Sequence, residues 1–411
     1  MEYFVNLSHC AACTIVSKNY FAYARTLYYS FKEHNPDAQF FVLLVDENNG
    51  DIDCTQEPFE VIEASSLGIP DFKRIAFRFD TMELNTNVKP AFLKHLLTDK
   101  GVSRLLYLDP DILVYRQLEE AYNLLDTHSI VLTPHCTSPI NDGLRPAEQD
   151  FLQTGVFNLG FIGVNDTPES LRFLDWWGSR CLTLGFNEPR TGLFVDQKWT
   201  NFVPCFFERV GILKHPGYNM AYWNLHERTL KGGDDRWVVN GEWPLVFYHF
   251  SGIAFDDQQQ ISRHQNRFDL LNRPDLVSIF DSYRKQLVKN EMNKFKELPY
   301  TYATFSNSEY ITQIARRLYS VNESSFHATD PFAAGGEIHQ WCKKNGFLGA
   351  VDQSAKFNSR TYSSNDPRIR AINFVLRMLL KVFGSNRYSM FLQYMSYISV
   401  MRNQKKIFKK C

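Results

Sequence analysis

No glycine occurs before Gly50. A dinucleotide fingerprint, G-x-G-x-x-G, must follow the first strand directly, and a phosphate-cradling loop, G-x-x-x-x-G-K, needs its glycines in the same place. The first strand-like run is residues 11–16, Ala-Ala-Cys-Thr-Ile-Val, with no glycine close behind it. Both devices are excluded there, as is the glycine-rich loop with which a sugar nucleotidylyltransferase holds a triphosphate. A surplus of positive charge is also missing: Lys+Arg and Asp+Glu number 45 each. A protein whose main partner is nucleic acid needs a basic excess to neutralise phosphates, so that class is set aside. No run approaches the ~18 apolar residues of a membrane-spanning helix. The N-terminus lacks a charged n-region followed by an apolar h-region, so a cytoplasmic protein is expected. The eight cysteines are scattered, and Cys10-x-x-Cys13 has the spacing of half a zinc site. No second such pair and no nearby histidine pair completes it, so reduced thiols are expected.

What is present is an alternation. Residues 11–16, 39–45 and 104–108 are uninterrupted apolar runs, and 59–62 is a shorter one. Between them, Ala24, Leu27, Tyr28 and Phe31 recur at helical spacing within 22–33, as do Phe92, Leu93, Leu96 and Leu97 within 84–98. Fully apolar strands separated by amphipathic helices indicate an α/β fold whose largely parallel sheet is covered on both faces. From 129 to 252 the pattern mixes strands (129–132, 156–164, 244–250) with helices (169–183, 194–207). Residues 256–300 are polar and helix-prone. A boundary is expected near 300, with residues 1–300 as one domain and 301–411 as a mainly helical region. Helices are expected at 309–320 and 368–408, flanking a loop-like stretch at 321–367.

In parallel sheets ligands sit beyond the carboxyl ends of the strands. Asp46 and Asp109 fall at such ends. Asp109-Pro110-Asp111 places two carboxylates at i and i+2, which on extended backbone point the same way. Two hard oxygen ligands suit Mg²⁺ or Mn²⁺, and such a cation can bridge a diphosphate. The bland reading is an Asx-type turn closing the strand. The apolar runs on both sides, Arg104-Leu-Leu-Tyr-Leu and Ile112-Leu-Val, favour the metal reading over an ordinary surface turn.

Around this segment the chain resembles glycosyltransferase family eight, the glycogenin and lipopolysaccharide galactosyltransferase type. The resemblance runs from Val88-Lys89-Pro-Ala-Phe-Leu through Leu108-Asp109-Pro-Asp111. It continues in order with Phe157-Asn158-Leu-Gly-Phe, Val195-Asp196-Gln197, Gly217-Tyr218-Asn219 and His249-Phe-Ser-Gly252, covering about residues 11–255. It implies a GT-A fold and transfer, with retention, of a hexose from a UDP-sugar to a glycan or lipid-linked glycan, as in a bacterial surface-polysaccharide relative. By the same resemblance Asp109, Asp111 and His249 hold the metal. Asn158, Asp196 and Gln197 surround the reacting carbon. Thr14, Ile15, Val16, Asp46, Lys89, Tyr218, Asn219 and Gly252 bind the donor. One departure stands out: the family has a lysine after the glycine of His-x-x-Gly, whereas Gly252 is followed by Ile-Ala-Phe. Arg263 or Arg267 is the candidate substitute on the leaving diphosphate, since guanidinium suits phosphate.

Each residue also has a structural reading. Lys89 alone is a helix-start cation, Asn158 a strand-edge turn former, His249 a satisfied core histidine and Asp196 a helix-start acid. Trp199, Tyr222 and Trp223 are core or a sugar platform. A second class of function, a non-catalytic sugar-nucleotide or glycan-binding scaffold, is disfavoured by the carboxylate pair. Finally, residues 369–400 interleave apolar positions with cations from Arg368 to Lys410. A basic amphipathic helix either packs on its own protein or lies peripherally on an anionic membrane.

Overall fold

The computed structural model describes residues 9–233, 236–255, 257–349 and 366–408. Lys409 and Lys410 of the basic tail lie outside the described residues, as does most of the second half of the 321–367 stretch. The chain divides into two compact units, one of Met1–Phe72 and Thr81–Thr301, the other of Lys73–Asp80 and Tyr302–Cys411.

The first unit is built on strands β1 (Cys10–Val16), β2 (Gln39–Leu44), β3 (Glu60–Glu63), β4 (Arg104–Leu108), β5 (Ile112–Val114), β6 (Ile130–Pro134) and β7 (Phe157–Asn165). Short strands follow: β8 (Asn187–Glu188), β9 (Leu193–Phe194), β10 (Val210–Ile212), β11 (Leu230–Gly233), β12 (Arg236–Val239), β13 (Trp243–Pro244) and β14 (Phe247–His249). The central sheet has seven strands in the order β10-β6-β7-β4-β1-β2-β3. It is mixed and largely parallel: β7 alone runs against its neighbours β4 and β6. The order explains the composition. β1 and β7 are interior strands, and every residue of both is buried. The Phe21–His34 and Glu119–Thr127 helices cover one face through Phe21, Leu27, Phe31, Ala121, Tyr122 and Leu125. Each such side chain removed from water contributes roughly 1.5–3 kcal/mol.

Several local expectations are corrected. The helix expected at 84–98 is two helices, Thr81–Asn87 and Lys89–Thr98. Pro90 occupies the first turn of the second, where its missing N–H costs nothing. The helix expected at 194–207 is strand β9, a 3₁₀ segment Gln197–Phe202 and a short α-helix Val203–Phe206 begun by Pro204. The strand expected at 244–250 is two strands in different sheets: β13 pairs with β12, and β14 pairs antiparallel with β5. Within 321–367 a helix forms at Glu337–Lys344, burying Ile338, His339, Trp341 and Cys342.

In the second unit the Gln313–Asn322 helix is tied to the 73–80 segment by one buried cation. The Arg316 guanidinium donates to the carbonyls of Ala76 (3.1 Å), Phe77 (3.0 Å) and Phe79 (2.8 Å), satisfying acceptors at the end of the Phe72–Arg78 helix. The long helix Pro367–Ser399 is broken at Gly384, which takes a left-handed φ of 73°. None of its residues is buried. The described residues contain no helix long and apolar enough to cross a membrane.

Candidate active site

The pairing of β5 with β14 builds the centre of the site. His249 stands opposite Ile112 in that ladder, and Phe250 N–H donates to the Asp111 carbonyl at 2.8 Å. His249 is therefore delivered beside the acidic pair by backbone register alone. The His249 Nε2 atom lies 2.9 Å from an Asp111 carboxylate oxygen and 3.7 Å from one of Asp109. One ligand atom from each of the three residues falls within 4.8 Å of the others. The two carboxylates converge by a different route from simple strand alternation. β4 ends at Leu108, and residues 109–112 form a turn in which the Asp109 carbonyl accepts from Ile112 N–H at 3.1 Å. Asp109 N–H is held by the Gly160 carbonyl at 2.8 Å. Burial opposes charge on the His249 imidazole, but the carboxylates of Asp111 and Asp109 outweigh it and hold its pKa above the ordinary value.

Gly160 is what lets the ring in. A Cβ there would lie 2.3 Å from His249 Cε1 and 2.9 Å from the Asn158 side-chain oxygen. Behind His249, its Nδ1 lies 3.4 Å from the Asn219 side-chain oxygen, and Trp223 meets the ring edge-on at 5.0 Å. Asn219 takes a left-handed φ of 54° and its carbonyl is held by Asn224. An imidazole whose second nitrogen faces a side-chain amide oxygen presents Nε2 as its free lone pair when neutral. Two carboxylates and one such nitrogen could together hold a divalent cation.

Next to this triad lies a second buried cluster. Lys89 is almost wholly enclosed. Its ammonium sits 2.7 Å from an Asp196 carboxylate oxygen, donates to the Leu159 carbonyl at 2.8 Å and lies 4.1 Å from the centre of the Tyr107 ring. The Lys89–Asp196 contact is an ion pair more than an aligned hydrogen bond, for that carboxylate oxygen has no well-angled donor. Burial pushes the Asp196 carboxyl up, and Lys89 opposes the push. Tyr107 is kept protonated by burial and by Asp109, to which its hydroxyl donates at 2.7 Å. Lys89 is thus no solvated helix-start cation.

Gln197 and Asn158 are locked to β7. The Gln197 side chain accepts from Leu159 N–H at 3.1 Å and donates to the Thr154 carbonyl at 3.0 Å. Asn158 accepts from Gly160 N–H at 3.2 Å and contacts His135 Nε2 at 3.3 Å through its amide nitrogen. His135 is buried, and burial pushes its pKa down to about 4, so its ring is neutral near pH 7. Its Nδ1 faces the Val156 carbonyl at 3.2 Å, which leaves Nε2 to accept from Asn158. Val195, just before Asp196, has a φ of 41°. A β-branched residue there is strained, and such strain collects at functional sites.

A cleft of about 380 Å³ opens on the Asp109–Asp111 turn. Ile15, Val16, Ser17 and Tyr20 line one wall, and Thr81, Met82, Asn85 and Thr86 the other. Thr14, one residue back, is buried with its hydroxyl unpartnered. Asp46 closes the end of β2. One of its carboxylate oxygens accepts from Lys18 N–H at 3.2 Å, and the other is buried without a partner. Burial raises the Asp46 pKa to about 7, with Lys18 opposing. Tyr20 stacks on Tyr23 at 4.7 Å.

The remaining residues separate. Tyr218 is not brought to the cleft: its ring packs among Phe161 and Phe247, and its hydroxyl donates to Glu120 at 2.8 Å. Asn219 stands behind His249, as described. Gly252 has a φ of 69°, and a Cβ there would lie 2.4 Å from the His264 ring. Of the two candidate arginines, Arg267 is committed elsewhere, donating to Asp142 at 2.8 Å and to the carbonyls of Leu144 and Pro146. Arg263 is exposed, and its charge is felt by Tyr20 at the cleft. Of the aromatics weighed as core or platform, Trp223 is buried while Trp199 and Tyr222 are half-buried. Sequence reasoning missed Tyr20, His135, Tyr107 and the Thr81–Asn87 wall. Only Tyr107 carried a signal, as the penultimate residue of the strand before the acidic pair.

No protein-family model matches the chain. The chain is 26% identical over 285 residues to the protein YfnF of Bacillus subtilis (strain 168), spanning 67% of this chain and 91% of YfnF. It is 26% identical over 255 residues to YfnD of the same organism, spanning 61% and 79%. Among solved structures it is similar to the galactosyltransferase LgtC with donor and acceptor sugar analogs, at 15% identity and a TM-score of 0.44 over 68% of this chain and 95% of that one. It is also similar to the glycosyltransferase GlyE of Streptococcus pneumoniae TIGR4, at 16% identity and a TM-score of 0.40 over 75% and 72%.

Proposed function

We propose that this chain is a divalent-cation-dependent glycosyltransferase of GT-A type. It moves a hexose from a UDP-sugar to a glycan or lipid-linked glycan acceptor, with retention of the anomeric configuration. The observation that carries the reading is the convergence of Asp109, Asp111 and His249 within 4.8 Å beside an open cleft at the carboxyl edge of the sheet. A chain without a glycine-rich amide nest needs another source of positive charge for a departing diphosphate, and a cation at this triad supplies it.

The protein's own groups divide the rest of the work. Ile15 and Val16 offer apolar surface for a base, while the unpartnered oxygens of Thr14 and Asp46 fit the hydroxyl and amide hydrogens of a nucleoside. Arg263 is the protein cation for the leaving diphosphate. Lys89 holds Asp196 in place, and Asp196, Gln197 and Asn158 present a rigid polar face to the donor sugar. Asn219 and Tyr218 serve from behind, the first by orienting His249 and the second by packing the core beneath it. Gly252 lets its loop approach His264 closely. No side chain among these is a strong nucleophile with a base poised on it, which favours front-face transfer in which the leaving phosphate accepts the acceptor's proton.

A thermal-shift screen of nucleotide sugars with Mn²⁺ present tests the donor class, because a ligand bound only by the folded state raises Tm by mass action. UDP-hexoses raise Tm on this reading. Shifts from GDP- or CMP-sugars with none from UDP-sugars contradict it.

A further inference from the structure

Residues 367–411 contain ten lysines and arginines and no acidic residue. With 45 of each sign in the whole chain, the rest holds 35 basic against 45 acidic residues, so the charge is segregated into this segment. The segment is also the most exposed apolar surface described. Phe374 is 65% exposed, Val382 68% and Met390 64%. Soluble proteins rarely leave such surfaces uncovered unless something docks on them.

The break at Gly384 organises this surface into two amphipathic halves. With each helical residue turning about 100°, Arg370, Asn373, Arg377 and Lys381 fall on one stripe of the first half. Ile372, Val375, Leu379 and Val382 fall on the opposite face. In the second half Ser385, Ser389, Gln393 and Ser396 share a stripe, opposite Phe391, Tyr394 and Ile398. A continuous helix would not keep these faces in phase. The end of the segment is anchored: Met401–Lys406 packs on the Gln313–Asn322 helix, and Phe408 meets Phe347 edge-on at 5.2 Å. The exposed helix is therefore tethered to its unit at its C-terminal end while its apolar faces stay bare.

We propose that the 367–399 helix pair lies in the interface of an anionic lipid bilayer, its apolar faces among the acyl chains and its cations against acidic headgroups. Charge selects this occupant. A second copy docked on the same helix pair would bring together two elements that each carry five cations and no acid, whereas an acidic headgroup layer complements that charge. Spanning is excluded for the described helix, which is not apolar enough to cross. The inference rests on this segment alone and is separable from the transferase reading.

The test is co-sedimentation of the full chain with phosphatidylglycerol-containing vesicles and with pure phosphatidylcholine vesicles, at low and high salt. Two variants are run beside the wild type: a charge reversal, Arg370→Glu with Arg377→Glu and Lys381→Glu, and an apolar loss, Val375→Ser with Val382→Ser, both on the exposed apolar face. Sedimentation velocity without lipid accompanies them, and Tm confirms that each variant is folded. The wild type sediments with the anionic vesicles and at least tenfold less with the neutral ones. Each variant loses at least tenfold of the anionic binding with an unchanged Tm. No binding by the wild type, equal binding to neutral vesicles, or binding untouched in both variants overturns the proposal. A self-associating wild type that ignores vesicles, and that Val375→Ser with Val382→Ser renders monomeric, assigns the face to a second copy instead.

Discussion

At the scale of single residues, the site is governed by which charges are paired and which are left facing the cleft. Asp109 and Asp111 stay partly accessible, and their only close cationic partner among the described residues is the His249 imidazole. Asp111→Asn keeps the size and removes the charge. It is expected to lower turnover by roughly two orders of magnitude, about 3 kcal/mol of transition-state stabilisation, while Tm stays near that of the wild type. Steady-state kinetics beside a melting curve checks both halves of the statement. Lys89 and Asp196 behave oppositely, because both are buried. Lys89→Met strands a carboxylate in the interior and is expected to cost about 3–5 kcal/mol of stability. Adding Asp196→Asn removes the stranded charge, so the double variant recovers much of that stability without recovering activity. Equal Tm values for the single and double variants would show that the pair is not coupled.

At the scale of elements, the β5–β14 ladder and the bare backbone of β7 at Gly160 decide where His249 goes. Gly160→Ala forces its Cβ into the imidazole, so His249 must move. Calorimetric Mn²⁺ affinity is expected to fall at least tenfold, and a variant that binds Mn²⁺ like the wild type would remove His249 from the metal site. The apolar strands and the acidic pair could be read from the sequence because each is encoded within a few neighbouring residues. The wall of the cleft could not. Thr81–Asn87 carries no unusual spacing, and Tyr20 acquires its place from the turn after β1. His135 gains its role only because β6 and β7 pair antiparallel and bring Asn158 beside it. The convergence of Asp109 and Asp111 was legible, but its cause was not. A turn at Pro110 does what strand alternation had suggested. The break before Lys89 follows from Pro90, whose ring clashes with a preceding helical turn.

At the scale of the whole molecule, pH offers a check on the nucleoside side of the cleft. Burial raises the Asp46 pKa from 3.8 to about 7. A raised carboxyl stabilises the fold only while protonated, so its contribution is full below about pH 4 and is lost as pH rises through about 7. Asn at the same position is neutral throughout. Without ligand, the wild type and Asp46→Asn therefore melt alike at the acid end, and the wild type falls behind as pH rises to 8. A Tm difference that stays constant across this range would mean that Asp46 is ordinarily solvated. The central claim, sugar transfer dependent on a cation held by Asp109, Asp111 and His249, meets its most direct test in UDP release from a UDP-hexose supplied with acceptor or water. Wild-type protein with Mn²⁺ is expected to release UDP, to lose at least a hundredfold of that rate in excess chelator, and to regain it when Mn²⁺ is restored. Full turnover in the presence of chelator would contradict the metal site and the mechanism built on it.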